Sequence, residues 1–119
     1  MAKTGLVLGV DIGGTNTALG LIDREGRCHG GDSMPTRGDQ PVQAFFRRLN
    51  ERAQGLLGGV EGGFELLGIG MGAPNANFAR GTIENPPNLS WDYVDLRAEW
   101  APYLRVPVVA TNDANAAAL

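Results

Sequence analysis

The sequence predicts an α/β fold in which a β-meander leads into alternating helices and strands packed on one mixed sheet. Three observations predict it. Short apolar runs separated by glycine turns fill residues 6–34, too closely spaced for helices. A clean 3.6-residue apolar period follows from Val42 to Leu57. Beyond it, two further buried-strand runs, at 64–72 and 106–111, alternate with helical segments.

The elements follow in chain order. Leu6, Val7, Leu8 and Val10 form an apolar run that ends on Asp11 and reads as a buried strand. Residues 12–16 are a turn, and Thr17 to Asp23 resumes as a second strand through Ala18, Leu19, Leu21 and Ile22. So tight a Gly13-Gly14 turn makes the pair a hairpin. Arg24, Glu25 and Gly26 turn the chain again, and Arg27 to Met34 is a weaker third strand nearer an edge. Residues 35–40 are a loop, and Pro41 suits the first turn of a helix, where a missing N–H costs nothing. Val42, Phe45, Phe46, Leu49, Ala53, Leu56 and Leu57 share one face of that helix, with Arg47, Arg48, Glu51 and Arg52 on the solvent side. Gly58 and Gly59 end it. Residues 64–72 are a buried strand whose glycines imply close backbone approach. Arg80, Gly81 and Thr82 read as the turn of a small hairpin, and residues 84–91, with Pro86 and Pro87, as irregular chain. Residues 93–104 read as one or two short helices with Val94, Leu96, Trp100 and Leu104 inward. Residues 106–111 are a strand with Pro107 at its start, and Ala114 opens an alanine-rich helix.

Composition narrows the function. The chain has 119 residues, 43% hydrophobic and 19% charged, a globular balance that excludes a disordered tail. A lone Cys28 excludes a disulfide scaffold. A net charge of -3 supplies no basic face for nucleic acid. The apolar runs fall far short of a membrane span, and the start lacks the apolar core and cleavage site of a signal peptide. The expectation is a cytoplasmic protein. It is one domain with no linker, and the alanine-rich stop leads to the expectation that a second lobe follows.

Four segments could carry chemistry. In the first, Asp11 precedes Gly13, Gly14, Thr15 and Asn16 between two strands. Glycines let backbone approach a ligand, successive N–H groups can nest an anion, and Asp11 could hold Mg²⁺ through its waters. The lysine and helix of a P-loop are missing, as is the third glycine of a dinucleotide fingerprint. A plain hairpin with Asp11 as a turn acid fits the spacing equally well. In the second, Asn112 and Asp113 stand where a strand meets a helix. Asp113 is either an N-cap or a carboxylate base at a strand's C-terminal end. The third, residues 68–75, is a glycine-rich strand end followed by Asn75, and the fourth, residues 84–91, holds Asn88 in a rigid Pro-Pro setting. Either a hydroxyl-recognising wall or ordinary packing and loop fits both. Cys28 and His29 read as structural.

Taken together and in this order, these segments resemble the ROK family (repressors, open reading frames and sugar kinases), most closely its bacterial glucokinase branch. The resemblance implies a ribonuclease H-like, actin-like ATPase fold of two lobes, with residues 1–119 as the N-terminal one. It implies ATP-dependent phosphorylation of a hexose, most often glucose at its 6-hydroxyl, with Mg²⁺. Asp11, Gly13, Gly14, Thr15 and Asn16 match the first phosphate loop, with the amides of Gly13, Gly14 and Thr15 on the β- and γ-phosphates. Asp113 matches the catalytic base, Asn112 a sugar-hydroxyl ligand, and Asn75 and Asn88 the segments lining the sugar cleft. Many members have lysine where Asn16 stands. The family's downstream sugar motif, its zinc motif and its adenosine site are not in this sequence. The chain thus holds half a cleft and is expected to be inactive alone, and a homodimer and any structural zinc belong to the other lobe. The alternatives are a kinase for mannose, fructose or N-acetylmannosamine, or a non-catalytic sugar-responsive regulator. With the first strand beginning near Leu6, no helix-turn-helix domain is expected ahead of it.

Overall fold

A computed structural model of the chain describes residues 3–86 and 89–111. The first strand, β1 (Thr4–Ile12), pairs antiparallel with β2 (Asn16–Asp23), which pairs antiparallel with β3 (Cys28–Pro35). The helix α1 (Val42–Gly58) then returns the chain to β4 (Phe64–Gly72), which lies parallel to β1 on its other side. A small antiparallel sheet of β5 (Ala76–Asn77), β6 (Thr82–Glu84) and β7 (Tyr93–Asp95) follows. Helix α2 (Leu96–Trp100) leads to β8 (Val108–Thr111), parallel to β4. The main sheet runs β3-β2-β1-β4-β8, the mixed, actin-like arrangement expected.

Period-two burial fixes which face is the core. Leu6, Leu8, Val10 and Ile12 are at most 1% exposed. Their cross-strand partners Leu21, Leu19 and Thr17 on β2, and Ile69 and Met71 on β4, are buried with them. Both helices cover this face. Phe45, Phe46, Leu49, Ala53 and Leu57 supply the buried stripe of α1. Trp100 on α2 stacks edge-on against Phe46, with ring centroids 5.6 Å apart, and its Nε1–H donates to Met71 Sδ at 3.1 Å. The opposite face carries Asp11 and a cross-sheet row of glycines, Gly31, Gly20, Gly9 and Gly70, paired in register.

Three expectations need correction. Residues 93–95 are a strand, because Tyr93 and Val94 find ladder partners in Glu84 and Ile83, and the helix begins only where the Asp95 carboxylate caps Ala98 N–H at 3.2 Å. The small hairpin at Gly81 forms as expected but gains this third strand. Arg48 does not face solvent. It is half-buried and donates from Nη1 to Pro35 O at 2.7 Å and from Nη2 to Thr36 O at 2.8 Å, tying α1 to the end of β3. Pro41 is the N-cap of α1, one residue before its first turn. The alanine-rich helix expected from Ala114 lies outside the described residues. Among those described, no helix is long and apolar enough to cross a membrane.

Candidate active site

Three parallel strands end side by side. Asp11 on β1 is in register with Gly72 on β4, and Gly72 with Thr111 on β8. At the usual strand spacing Asp11 and Thr111 are about 10 Å apart across that row. Ala73 N–H donates to Thr111 O at 3.0 Å, which locks the two chain exits together. An open sheet places ligand chemistry at the C-terminal ends of its parallel strands. The half-buried Asp11 carboxylate makes no hydrogen bond or ion pair among the described residues.

The turn beside Asp11 is tightly made. Gly13 N–H donates to Asn16 O at 3.0 Å, and a Cβ on Gly13 would sit 2.7 Å from that same oxygen. Gly13 therefore shapes the turn, and its amide is spent inside it. That departs from the expectation that all three amides face a ligand. Gly14 and Thr15 are exposed, and among the described residues neither their N–H groups nor the Thr15 hydroxyl has a partner. These three donors are what the turn offers an anion. The Asn16 side chain is exposed at the start of β2.

The turn is held from behind by Thr36. Thr36 N–H donates to Thr15 O at 2.9 Å, and Thr36 Oγ1 donates to Gly13 O at 2.8 Å. Thr17 Oγ1 lies 2.8 Å from Thr36 Oγ1, and both residues are fully buried. Because the single Thr36 hydroxyl proton goes to Gly13, Thr17 must be the donor to Thr36. Sequence reasoning missed Thr36 and Arg48. The visible signal was Thr17 just after the glycine turn and Thr36 just past the end of β3.

On the sugar side of the expectation, Asn75 is at the third position of a turn closed by Ala76 N–H on Ala73 O at 3.3 Å. Its φ is +58°, a conformation that asparagine tolerates after Pro74. Its Nδ2 donates to Asn85 O at 2.9 Å, and Glu84 N–H donates to its carbonyl at 3.2 Å. Asn75 thus ties its own turn to the loop after β6, and it lines a shallow cleft with Asn77, Phe78 and Glu84. Asn88, Asn112 and Asp113 lie outside the described residues. Among those described, no cluster of three or more His, Cys, Asp or Glu residues could hold a metal.

His29 is not without a partner, as its isolation in the sequence had implied. Its Nε2–H donates to Asp23 Oδ2 at 2.7 Å across the β2–β3 turn, far from the strand ends above. That bond, with the backbone N–H groups of Arg27 and Glu25, holds the Asp23 carboxyl below the usual carboxylate range.

The sequence profile of the ROK family matches residues 7–119. The chain belongs to the ROK family. A glucokinase of Streptomyces coelicolor is 35% identical over 115 residues, which are 96% of this chain and 34% of that protein. A crystal structure of a ROK family glucokinase from Streptomyces griseus in complex with glucose and AMPPNP is 32% identical, with a TM-score of 0.72 over 96% of this chain and 35% of that one. A ROK family transcriptional regulator, a homologue of the E. coli MLC protein, shares the fold with a TM-score of 0.77 at 17% identity, over 92% of this chain and 28% of that one. This ROK chain spans about a third of the length of these relatives.

Proposed function

We propose that residues 1–119 are the N-terminal lobe of a cytoplasmic ATP-dependent hexose kinase whose substrate is glucose, which becomes glucose 6-phosphate with release of ADP. The observation that carries this reading is the turn at the end of β1, which presents the unpartnered N–H groups of Gly14 and Thr15 and the Thr15 hydroxyl beside Asp11. It is supported by the likeness to glucokinases, one of them binding glucose and a nucleotide analogue.

In this reading the Gly14 and Thr15 amides receive the β- and γ-phosphate oxygens, and Gly13 and Asn16 keep the turn in shape. Phosphoryl transfer is mostly positioning and electrostatics, so rigid donors aimed beforehand are what the protein supplies. A half-buried carboxylate with no ligand cluster among the described residues suits Mg²⁺ held through its water shell and the phosphates, with Asp11 as the protein contact. When bound, the ion would neutralise charge on the phosphates. Asp113, two residues beyond the end of β8, is the base that takes the proton of the attacking hydroxyl, and Asn112 orients the sugar. Asn88 and Asn75 belong to the sugar wall, Asn75 by holding its turn against the loop at Asn85. The rest of the cleft and the dimer contact belong to a second lobe.

The test is a coupled assay of the complete gene product with Mg-ATP across a hexose panel, with Asp113→Asn alongside. Glucose should be the fastest substrate. The variant should lose about 10²–10⁴-fold in turnover while glucose binding persists. Failure to phosphorylate any hexose refutes the reading, and turnover within a few-fold of wild type removes Asp113 as the base.

A further inference from the structure

Residues 36–40 touch both halves of the proposed cleft. At one end Thr36 holds the glycine turn through Thr15 O and Gly13 O. At the other end the carbonyls of Gly38 and Gln40 hold the chain that directly follows Asn88. Ser90 donates to Gly38 O from its N–H at 2.8 Å and from Oγ at 2.6 Å, and Trp91 Nε1–H donates to Gln40 O at 3.0 Å. Between them a Cβ on Gly38 would collide with Leu89 Cδ2 and lie 3.2 Å from Leu89 Cα, so Leu89 occupies the space that glycine leaves. The segment is itself short and stiff. Gln40 N–H closes a turn on Arg37 O at 3.0 Å, and Arg48 of α1 grips the carbonyls of Pro35 and Thr36.

The peptide geometry gives the Thr36 contact a direction. In a trans peptide the C=O and the following N–H point opposite ways, and no cis peptide occurs among the described residues. Pinning Gly13 O onto Thr36 therefore turns the Gly14 N–H away from Thr36, to the outer side of the turn. We propose that Thr36 and Gly38 are positioning residues on one strap. Thr36 aims the donor of the phosphate turn, and Gly38 seats the loop after Asn88, so one five-residue segment sets the distance between the two substrates. This rests on the sugar-kinase reading for its functional consequence, and on the hydrogen bonds alone for its structural one.

The complete gene product is compared with Thr36→Val, Thr36→Ser and Gly38→Ala, each measured for KM toward Mg-ATP and glucose and for amide hydrogen exchange. Thr36→Val should raise the KM for ATP about three- to tenfold, the worth of one hydrogen bond, with the KM for glucose within about twofold of wild type. Thr36→Ser keeps the hydroxyl and should restore the ATP value. Gly38→Ala should do the reverse, raising the KM for glucose and sparing that for ATP. Exchange should quicken at Gly13 and at position 36, whose N–H groups close the turn on Asn16 O and Thr15 O, in Thr36→Val, and at Ser90 in Gly38→Ala. Unchanged exchange at those sites, equal effects on both KM values, or no rescue by serine overturns the strap. A complete protein that phosphorylates no hexose refutes the kinase reading instead, and the exchange data still decide the strap.

Discussion

The two buried hydroxyls behind the glycine turn carry an asymmetry that can be measured as stability. Thr17 donates to Thr36, and Thr36 donates to Gly13 O. Thr36→Val keeps the shape of the side chain but breaks both bonds. It forfeits the bond to Gly13 O, worth about 0.5–1.5 kcal/mol net, and strands a Thr17 hydroxyl that has 0% exposure, at about 1–3 kcal/mol more. The sum is about 1.5–4.5 kcal/mol. Thr17→Val removes only the donor to Thr36, whose own proton stays on Gly13 O, so no buried donor is orphaned and the cost is about 0.5–1.5 kcal/mol. In the double variant the stranded hydroxyl is gone, and the total should fall short of the summed single costs by that penalty, about 1–3 kcal/mol. Urea unfolding of the complete protein, followed by the fluorescence of the buried Trp91 and Trp100, gives each value. Additive costs, or a Thr17→Val cost equal to that of Thr36→Val, would refute the donor order derived from the 2.8 Å contacts.

Three further outcomes are expected. Gly13→Ala drives a Cβ to 2.7 Å from Asn16 O, a backbone atom that cannot swing aside, so the urea midpoint should fall by the equivalent of about 1–3 kcal/mol and ATP affinity should fall with it. Asp23 has its folded pKa lowered, first by the His29 hydrogen bond and then by Arg27 N–H, so its contribution is complete above the ordinary carboxylate pKa and is lost as pH drops through the lowered one. Asp23→Asn should therefore be destabilised at pH 7, and in a pH series of urea midpoints the gap to wild type should close below about pH 4. Glu99 has the opposite sign, because burial and then the Asp95 charge raise its pKa. It costs stability once pH rises through the raised value, and Glu99→Gln should gain stability at pH 7 with no gain below about pH 4, read from thermal midpoints across that range.

The sheet and its long helix were legible because both carry a period that survives without knowledge of the partner. Leu6, Leu8, Val10 and Ile12 alternate over a whole strand, and the α1 stripe repeats over four turns. Tyr93 to Asp95 was misread because three residues are too few to show a period, and only Thr82 to Glu84 across the ladder decides their conformation. Arg48 was misread because a helical wheel sees polarity and not distance. Its guanidinium reaches the carbonyls where β3 ends, which no local pattern encodes. At the turn, the two adjacent glycines looked equivalent in the sequence. The Gly13 N–H bond to Asn16 separates them, leaving Gly13 for shape and Gly14 for donation. The meeting of Asp11 with the end of β8 was legible only through the expected fold, since Asp11 and Thr111 are brought together by the parallel order of β1, β4 and β8 and by nothing near either residue.

The row formed by Gly31, Gly20, Gly9 and Gly70 leaves the sheet's second side without side-chain relief along one line. Gly20 and Gly31 would each accept a methyl group at ordinary contact distance, 3.4 Å from Gly30 O and 3.5 Å from Leu19 O, so their own surroundings do not demand the omission. A layer resting there would bear on peptide planes, as a runner bears on a rail. Its height would be set by the main chain beneath it, and its travel along the track would be checked only by what grips it elsewhere.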